Sequence, residues 1–465
     1  MKKKGAILLL GLIVILSGWW VLYGGPQAQP SEGVIDVWVT WGDKAEQIQA
    51  FFDRYGPSSG MPIRVTTRVK DDELLEVLAD PEPPDLVILS AGDPVAWYHE
   101  QGLVEPLEDW IDTAGIDLDD ILPAAQAQCQ GPDGATLCLP WGCDVDVLFW
   151  NKDLFAAAGL DPDRPPQTME ELVEYAGKLT SRDEEGELSQ VGFIPGFPRS
   201  HTELYVRMFG GTFYKEGGVE LALNSQPVVE ALKWQAAFNS TYDAEALQDY
   251  VSSFTPYMAS QHPIFAGRRM NCQHCHRSMP LQNKRTPDTG FFDGKVAMMV
   301  DGQWQTGAEA RVNGKSRVAY GVAPFPPPAA HPERANTAVV RGPVVIIPAG
   351  AVDKEAAALL LAWMMSPEIG AEAANAFSFL PTSRTVLHDA RFRQDPHMQV
   401  FADLVADPNA EPAVMTPIRP DLNEALGQVD AEVLQGGSDL APLLKEVEAE
   451  LTAKLRETSS DYSRP

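Results

Sequence analysis

The stretch from residue 34 to residue 90 constrains the fold most. VIDVWVTW alternates in strand fashion and stops at Gly42-Asp43, and KAEQIQAFFDRYG follows with helical spacing and a closing glycine. PIRVTTRV is a second strand, DDELLEVLA a second helix, and PDLVILS a third, nearly all-apolar strand. Alternating strands and helices with buried strands predict an α/β fold with a parallel-rich sheet flanked by helices. Ligands collect beyond the carboxyl ends of such strands. Trp41, Gly42, Asp43, Ser90 and Asp93 occupy those places.

The chain has 465 residues, 45% of them hydrophobic, which is too long for one ordinary core; two or three lobes are expected. Lys and Arg number 36 against 65 Asp and Glu, a formal net charge of −29. That balance repels phosphate backbones and excludes nucleic acid as a partner, while it suits a neutral or cationic small-molecule solute.

Lys2, Lys3 and Lys4 precede an apolar run from Gly5 to Tyr23 that ends in Trp19, Trp20 and Tyr23. A cationic n-region, an apolar run long enough to span a bilayer and interfacial aromatics predict a membrane-facing leader. No small-x-small cleavage site stands out in GGPQAQP, and no Cys follows the run to accept a lipid. A retained signal anchor is favoured over a cleaved peptide. Either way the rest of the chain is exported to the extracellular or periplasmic side.

In an exported protein, cysteines can pair. Cys129 and Cys138 flank QGPDGATL, where Asp133-Gly134 is a two-residue hairpin turn that would set 129 directly opposite 138. A disulfide across that hairpin is expected, with two buried thiols as the alternative.

Further on, VDVLFW reads as a strand, KDLFAAAGL as a short helix and DPDRPP as a rigid connector. TMEELVEYAGKL starts at Thr168, with Glu171 completing a capping box. The order strand, W-N-K-D-L-F, A-G-L-D, proline connector and T-x-E-E-L resembles the middle of the family 1 extracellular solute-binding proteins of ABC importers. GFFDGKVAMMVDGQW (290–304), VAYGVAPFP (318–326), VVIIPAG (344–350) and LAWMMSPEIG (361–370) are similar to that family's later landmarks, in order. Together they cover most of residues 34 to 455.

The resemblance implies a two-lobe periplasmic-binding-protein-like fold of type II, each lobe a sheet flanked by helices, with a cleft between them. Lobe 1 would comprise 34–140 plus 328–366, and lobe 2 would comprise 145–325 plus 372–455, with a tail at 456–465. Crossings would lie near Trp141–Asp144, Pro326–Pro328 and Ser366–Gly370. The implied function is to bind a solute, a carbohydrate by the resemblance, by lobe closure and deliver it to ABC permease subunits, as a monomer without a required cofactor.

A sugar receptor needs flat aromatic platforms and side chains that exchange hydrogen bonds with hydroxyls. Trp304 matches the family's Gly-x-Trp position, which commonly stacks on sugar. Trp41 and Trp141 are further candidate platforms, with Ser90, Asp43, Asp93 and Asp144 as polar partners. Phe197, Arg199 and Arg341 are candidates for the opposite wall. Trp38, Trp150, Trp234 and Trp363 read as core.

The segment from about Thr255 to Thr289 looks like an insertion relative to the family. It carries Cys272, Cys275 and His276 as Cys-x-x-Cys-His, the spacing of covalent haem attachment. The segment also fits a structural zinc clip, with His274, Cys143 or His262 adding ligands, or a plain Cys272–Cys275 pairing. There is no Gly-x-Ser-x-Gly, His-Glu-x-x-His or phosphate loop, and no catalytic residue is assigned. Two other functions stay open: a receptor of the same fold for a polyamine or metal complex, and a metal- or haem-dependent redox protein centred on Cys272 and Cys275.

Overall fold

A computed structural model describes residues 33–461. Left outside are 255–289 and the short stretches 42–44, 57–59, 68–70, 91–93, 132–133, 199, 216–219, 239–240, 307–310, 313–314, 317, 390–391, 393–394, 415 and 435–439. In chain order the strands are β1 (Ile35–Val39), β2 (Ile63–Thr67), β3 (Leu86–Leu89), β4 (Leu139–Pro140), β5 (Asp146–Asn151), β6 (Ser181–Arg182) and β7 (Leu188–Phe193). Then come β8 (Val296–Gly302), β9 (Arg311–Val312), β10 (Lys315–Ser316), β11 (Tyr320–Ala323), β12 (Ala338–Val340), β13 (Val344–Ile346) and β14 (Ala410–Pro412).

Two sheets organise the described residues. The first runs β2-β1-β3-β13-β4 and the second β11-β5-β8-β7-β6, while β12 pairs with β14 and β9 with β10. The α/β expectation holds, with the parallel pairing confined to part of each sheet. β1 is parallel to β2 and β3, and β7 to β8, whereas β13 and β5 run against their neighbours. β3, β5 and β8 are buried along their whole length, which is why their sequences read as apolar runs rather than as clean alternation. The helix Met169–Lys178 starts as its sequence dictates, with Thr168 Oγ1 accepting the Glu171 N–H at 3.1 Å. The Glu171 carboxylate then takes the N–H of Gln167, one residue earlier than a reciprocal capping box would, and pairs with Arg164.

Strand register places the two sheets end to end. Pro140 and Leu89 both lie level with Val344 in the first sheet, and Asp146 lies opposite Gly302 in the second. Residues 141–145 therefore carry the chain from one sheet to the other. Backbone hydrogen bonds tie this crossing to a second one: Trp141 N–H donates to the Pro343 carbonyl at 2.9 Å, Arg341 N–H to the Asp144 carbonyl at 3.1 Å, and Asp144 N–H back to the Arg341 carbonyl. Leu380 and Cys143 exchange both of their backbone bonds on the other flank. A Cβ on Gly342 would overlap the Gly142 carbonyl oxygen, and one on Gly142 would overlap the Phe379 ring. Only glycine lets the segments lie this close.

The first crossing lies where the sequence puts it; the other two do not. Residues 327–334 contact the helices beside the second sheet, and β12 forms a separate pair with β14. The Pro327 carbonyl accepts the Met169 N–H, Arg334 donates to the Arg207 carbonyl and pairs with Glu411, and β12 joins β14. The second crossing is thus at Arg341–Pro343 rather than Pro326–Pro328. Residues 366–387 stay with the first sheet: Glu372 pairs with Arg54, the Ala376 carbonyl accepts from Gln47, and Asp120 holds Ser383 and Thr385. The chain returns between Leu387 and the helix Pro396–Val405, which packs against β11 and the turn after β8. The resemblance implied a crossing at 326–328, but hydrogen bonds and side-chain pairing decide on which side that segment lies.

The hairpin at 131–135 also differs from expectation. Gln130 pairs with Thr136, so Cys129 accepts from the Leu137 N–H and the register is one residue away from the predicted one. Cys129, Cys138 and Cys143 are buried thiols, with no disulfide between them. Burial, together with the neighbouring Cys138 thiol, pushes Cys129 well above the ordinary thiol range. The expected anchor at 5–23 lies outside the described residues, among which no helix is long and apolar enough to cross a membrane.

Candidate functional site

The ends of the strands converge on the crossings. Beyond β1 and β3 stand Thr40, Trp41 and Ser90, with the Ser90 N–H held by Thr40 Oγ1 at 2.9 Å. Trp41 is partly buried against the central core, and Ser90 is likewise partly exposed. Their expected partners Asp43 and Asp93 lie outside the described residues, as do Arg199 and the whole Cys272, Cys275, His276 segment. Among the described residues no three Cys, His, Asp or Glu side chains group as metal ligands.

On the second sheet β8 ends at Gly302 and continues into the 3-10 turn Gln303–Thr306. Three contacts brace this turn. Asp301, buried, accepts from the Gly302 N–H at 2.9 Å and from Gln305 Nε2 at 2.6 Å, and Thr306 Oγ1 donates to the Gln303 carbonyl at 2.8 Å. The Trp304 indole folds back over Gly302, where any Cβ would collide with the ring. Trp304, expected from the resemblance to be a platform, stays partly exposed on this braced turn.

The crossing supplies the floor. Asp144, half-buried, accepts from Gln303 Nε2 at 2.5 Å. Two residues on, Asp146 is 5% exposed and accepts from Arg341 Nη2 at 2.5 Å. His201 Nδ1 lies 3.4 Å from the same Asp146 oxygen. Burial alone would favour loss of the Arg341 proton, but Asp146 foremost, then Asp144 and Glu203, outweigh it and hold the guanidinium above its ordinary range. Arg341 is therefore a fixed cation in an acidic setting.

Two expected wall residues are core instead. Trp141 is 3% exposed and packs among Phe51, Phe52, Phe377 and Phe379 at centroid separations of 5.2–6.1 Å. Phe197 is 2% exposed in the second sheet's core. Each joins a core cluster because apolar side chains from distant segments surround it. Trp150 is core as read, and Trp38, Trp234 and Trp363 are partly buried against cores. Sequence reasoning missed Asp146, His201 and Gln303. The only local signal was a charged residue opening an otherwise apolar strand at Asp146.

Comparison with known proteins follows the same lines. A family model described as bacterial extracellular solute-binding protein matches residues 70–400. The maltotriose-binding protein of Pyrococcus abyssi is 22% identical over 384 residues, 80% of this chain and 71% of the relative. The sn-glycerol-3-phosphate-binding periplasmic protein of Brucella abortus is 34% identical over 101 residues, which span 21% of this chain and 23% of that protein. Among solved structures, CpMnBP1 with mannotriose bound superposes with a TM-score of 0.73 at 24% identity, covering 90% of this chain and 99% of that one. The sugar-binding protein MalE from Xanthomonas citri gives 0.69 at 16% identity, covering 93% and 100%. At these identities the structural likeness establishes the two-lobe fold.

Proposed function

The chain belongs to the bacterial extracellular solute-binding proteins, and from that premise we propose that it captures a mono- or oligosaccharide between its lobes for an ABC importer. One observation carries this: Trp304 presents a partly exposed indole on a braced turn whose preceding residue, Gln303, donates to the Asp144 carboxylate at the crossing. A sugar ring offers a C–H face that packs on an indole and a rim of hydroxyls that a carboxylate accepts. The relatives named for maltotriose and mannotriose support the same ligand class.

The charge of the floor favours a neutral solute. Arg341 is engaged by Asp146 and adjoined by Asp144 and Glu203, so the carboxylates outnumber the guanidinium there. A phosphate monoester would meet net repulsion, which argues against carrying over the glycerol-phosphate specificity of a relative matched over a short stretch. Closure proceeds by population shift: solute held by one lobe is engaged by the other, and the closed form is the one the permease subunits recognise. Residues 5–23, with Lys2–Lys4 on the cytoplasmic side, tether this monomeric receptor to the outer face of the membrane.

The test is a thermal-melt screen of the full chain in mild detergent against mannotriose, maltotriose, sn-glycerol-3-phosphate, spermidine and zinc. A ligand at 100 times its dissociation constant stabilises by roughly 2.7 kcal/mol. An upward shift with a sugar alone is expected. A shift only with the phosphate ester or the amine would sink the carbohydrate assignment. A shift only with zinc would transfer attention to Cys272, Cys275 and His276.

A further inference from the structure

Gln303 is 1% exposed and uses both ends of its amide. Nε2 donates to Asp144 Oδ1 at 2.5 Å and lies 3.2 Å from the Ser378 carbonyl and 3.5 Å from that of Cys143. Oε1 accepts from the Val145 N–H at 3.4 Å. One side chain on the second sheet thus holds three successive residues of the first crossing, together with Ser378. That serine itself adopts the left-handed region, at φ 62°. Gln303 is also the residue immediately before Trp304, and its own carbonyl is fixed by Thr306 Oγ1.

The chemistry of the position is narrow. A planar neutral amide carries donors and an acceptor on one group. A carboxylate there would have no proton to give and would face Asp144 as a like charge, while an apolar side chain would strand both the Asp144 oxygen and the Val145 N–H. We propose that Gln303 is a positioning residue for solute capture. It sets the Asp144 carboxylate and couples the turn bearing Trp304 to the crossing, so that contact with solute at Trp304 and Asp144 acts directly on lobe closure. A carboxylate accepts several hydrogen bonds at once, so the amide orients Asp144 without occupying all of its acceptor capacity. The inference rests on the carbohydrate reading above, in which solute meets these two side chains.

The experiment compares wild type, Gln303→Glu and Gln303→Met in the full chain by calorimetric titration with mannotriose at pH 8 and pH 5, alongside melting temperatures without ligand. Gln303→Met is expected to bind roughly tenfold or more weakly at both pH values. Gln303→Glu is expected to be as weak at pH 8 and to regain affinity at pH 5. Two facing carboxylates share one proton, so the folded pKa of the pair rises; the restored hydrogen bond is present below that value and is lost as pH climbs through it. The melting temperature of Gln303→Glu relative to wild type should recover over the same interval. Wild-type affinity in Gln303→Met, or a Gln303→Glu defect equal at both pH values, would overturn the proposal. If wild type ignores mannotriose, the titrations use whichever sugar raises its melting temperature; if none does, the carbohydrate reading fails on its own, and the ligand-free melting comparison still decides whether Gln303 holds Asp144.

Discussion

Trp141 and Asp144 stand three residues apart on one crossing and meet opposite surroundings. The Trp141 end is dry: four phenylalanine rings from the first sheet's side enclose the indole. The Asp144 end is polar, with Gln303, Arg341, Asp146 and His201 converging on it from the second sheet's side. The difference divides the labour. Apolar burial anchors the crossing to one lobe, and directional hydrogen bonds tie it to the other.

The sharpest way to break this contrast is Trp141→Ala. It should cost about 3–5 kcal/mol of stability in urea unfolding, as large aromatic truncations in cores do. A stable variant that had lost binding would make Trp141 a ligand platform after all. Trp304→Ala should behave inversely, weakening sugar affinity by about 2 kcal/mol, roughly thirtyfold in titration calorimetry, with little change in unfolding midpoint. Equal losses of stability in both variants would erase the distinction. Gly342→Ala pushes a methyl group into the Gly142 carbonyl and should destabilise by about 1–3 kcal/mol. Small-angle scattering should also show the two lobes no longer closing on ligand as in wild type.

The smallest effect concerns the acid limb. Ser383, Thr385 and Arg384 overcome the burial of Asp120 and hold its carboxyl below the ordinary range. A depressed carboxyl pKa stabilises the fold above the unfolded value and loses that contribution as pH falls through the folded one. Asp120→Asn should therefore cost about 1 kcal/mol at pH 7 and flatten the loss of stability below about pH 4, read by thermal melts across pH. An unchanged pH profile would show that this link between Asp120 and residues 383–385 is not electrostatic.

Much of the architecture was legible in the chain. Alternation gave β1, apolar runs gave β3 and β5, and Thr168 gave a helix start. Each of these depends on neighbours within a few residues, through strand pleat or helix capping. The cysteine hairpin marks the limit of such local reasoning. Asp133-Gly134 announced a turn, yet the surrounding contacts set a register one residue away.

What tertiary structure alone decided is which residues meet. Trp141 is core because Phe377 and Phe379 return to it from far along the chain, and Gln303 matters because it reaches Asp144 across 159 residues of sequence. Residues 327–334 lie on the second sheet's side because the Pro327 carbonyl accepts the Met169 N–H and Arg334 donates to the Arg207 carbonyl there. Sequence determined the elements and the character of their faces, since both follow from local sterics and periodicity. The pairing of faces and the placement of crossings emerged only when distant segments competed for the same buried surface and the same hydrogen-bonding groups.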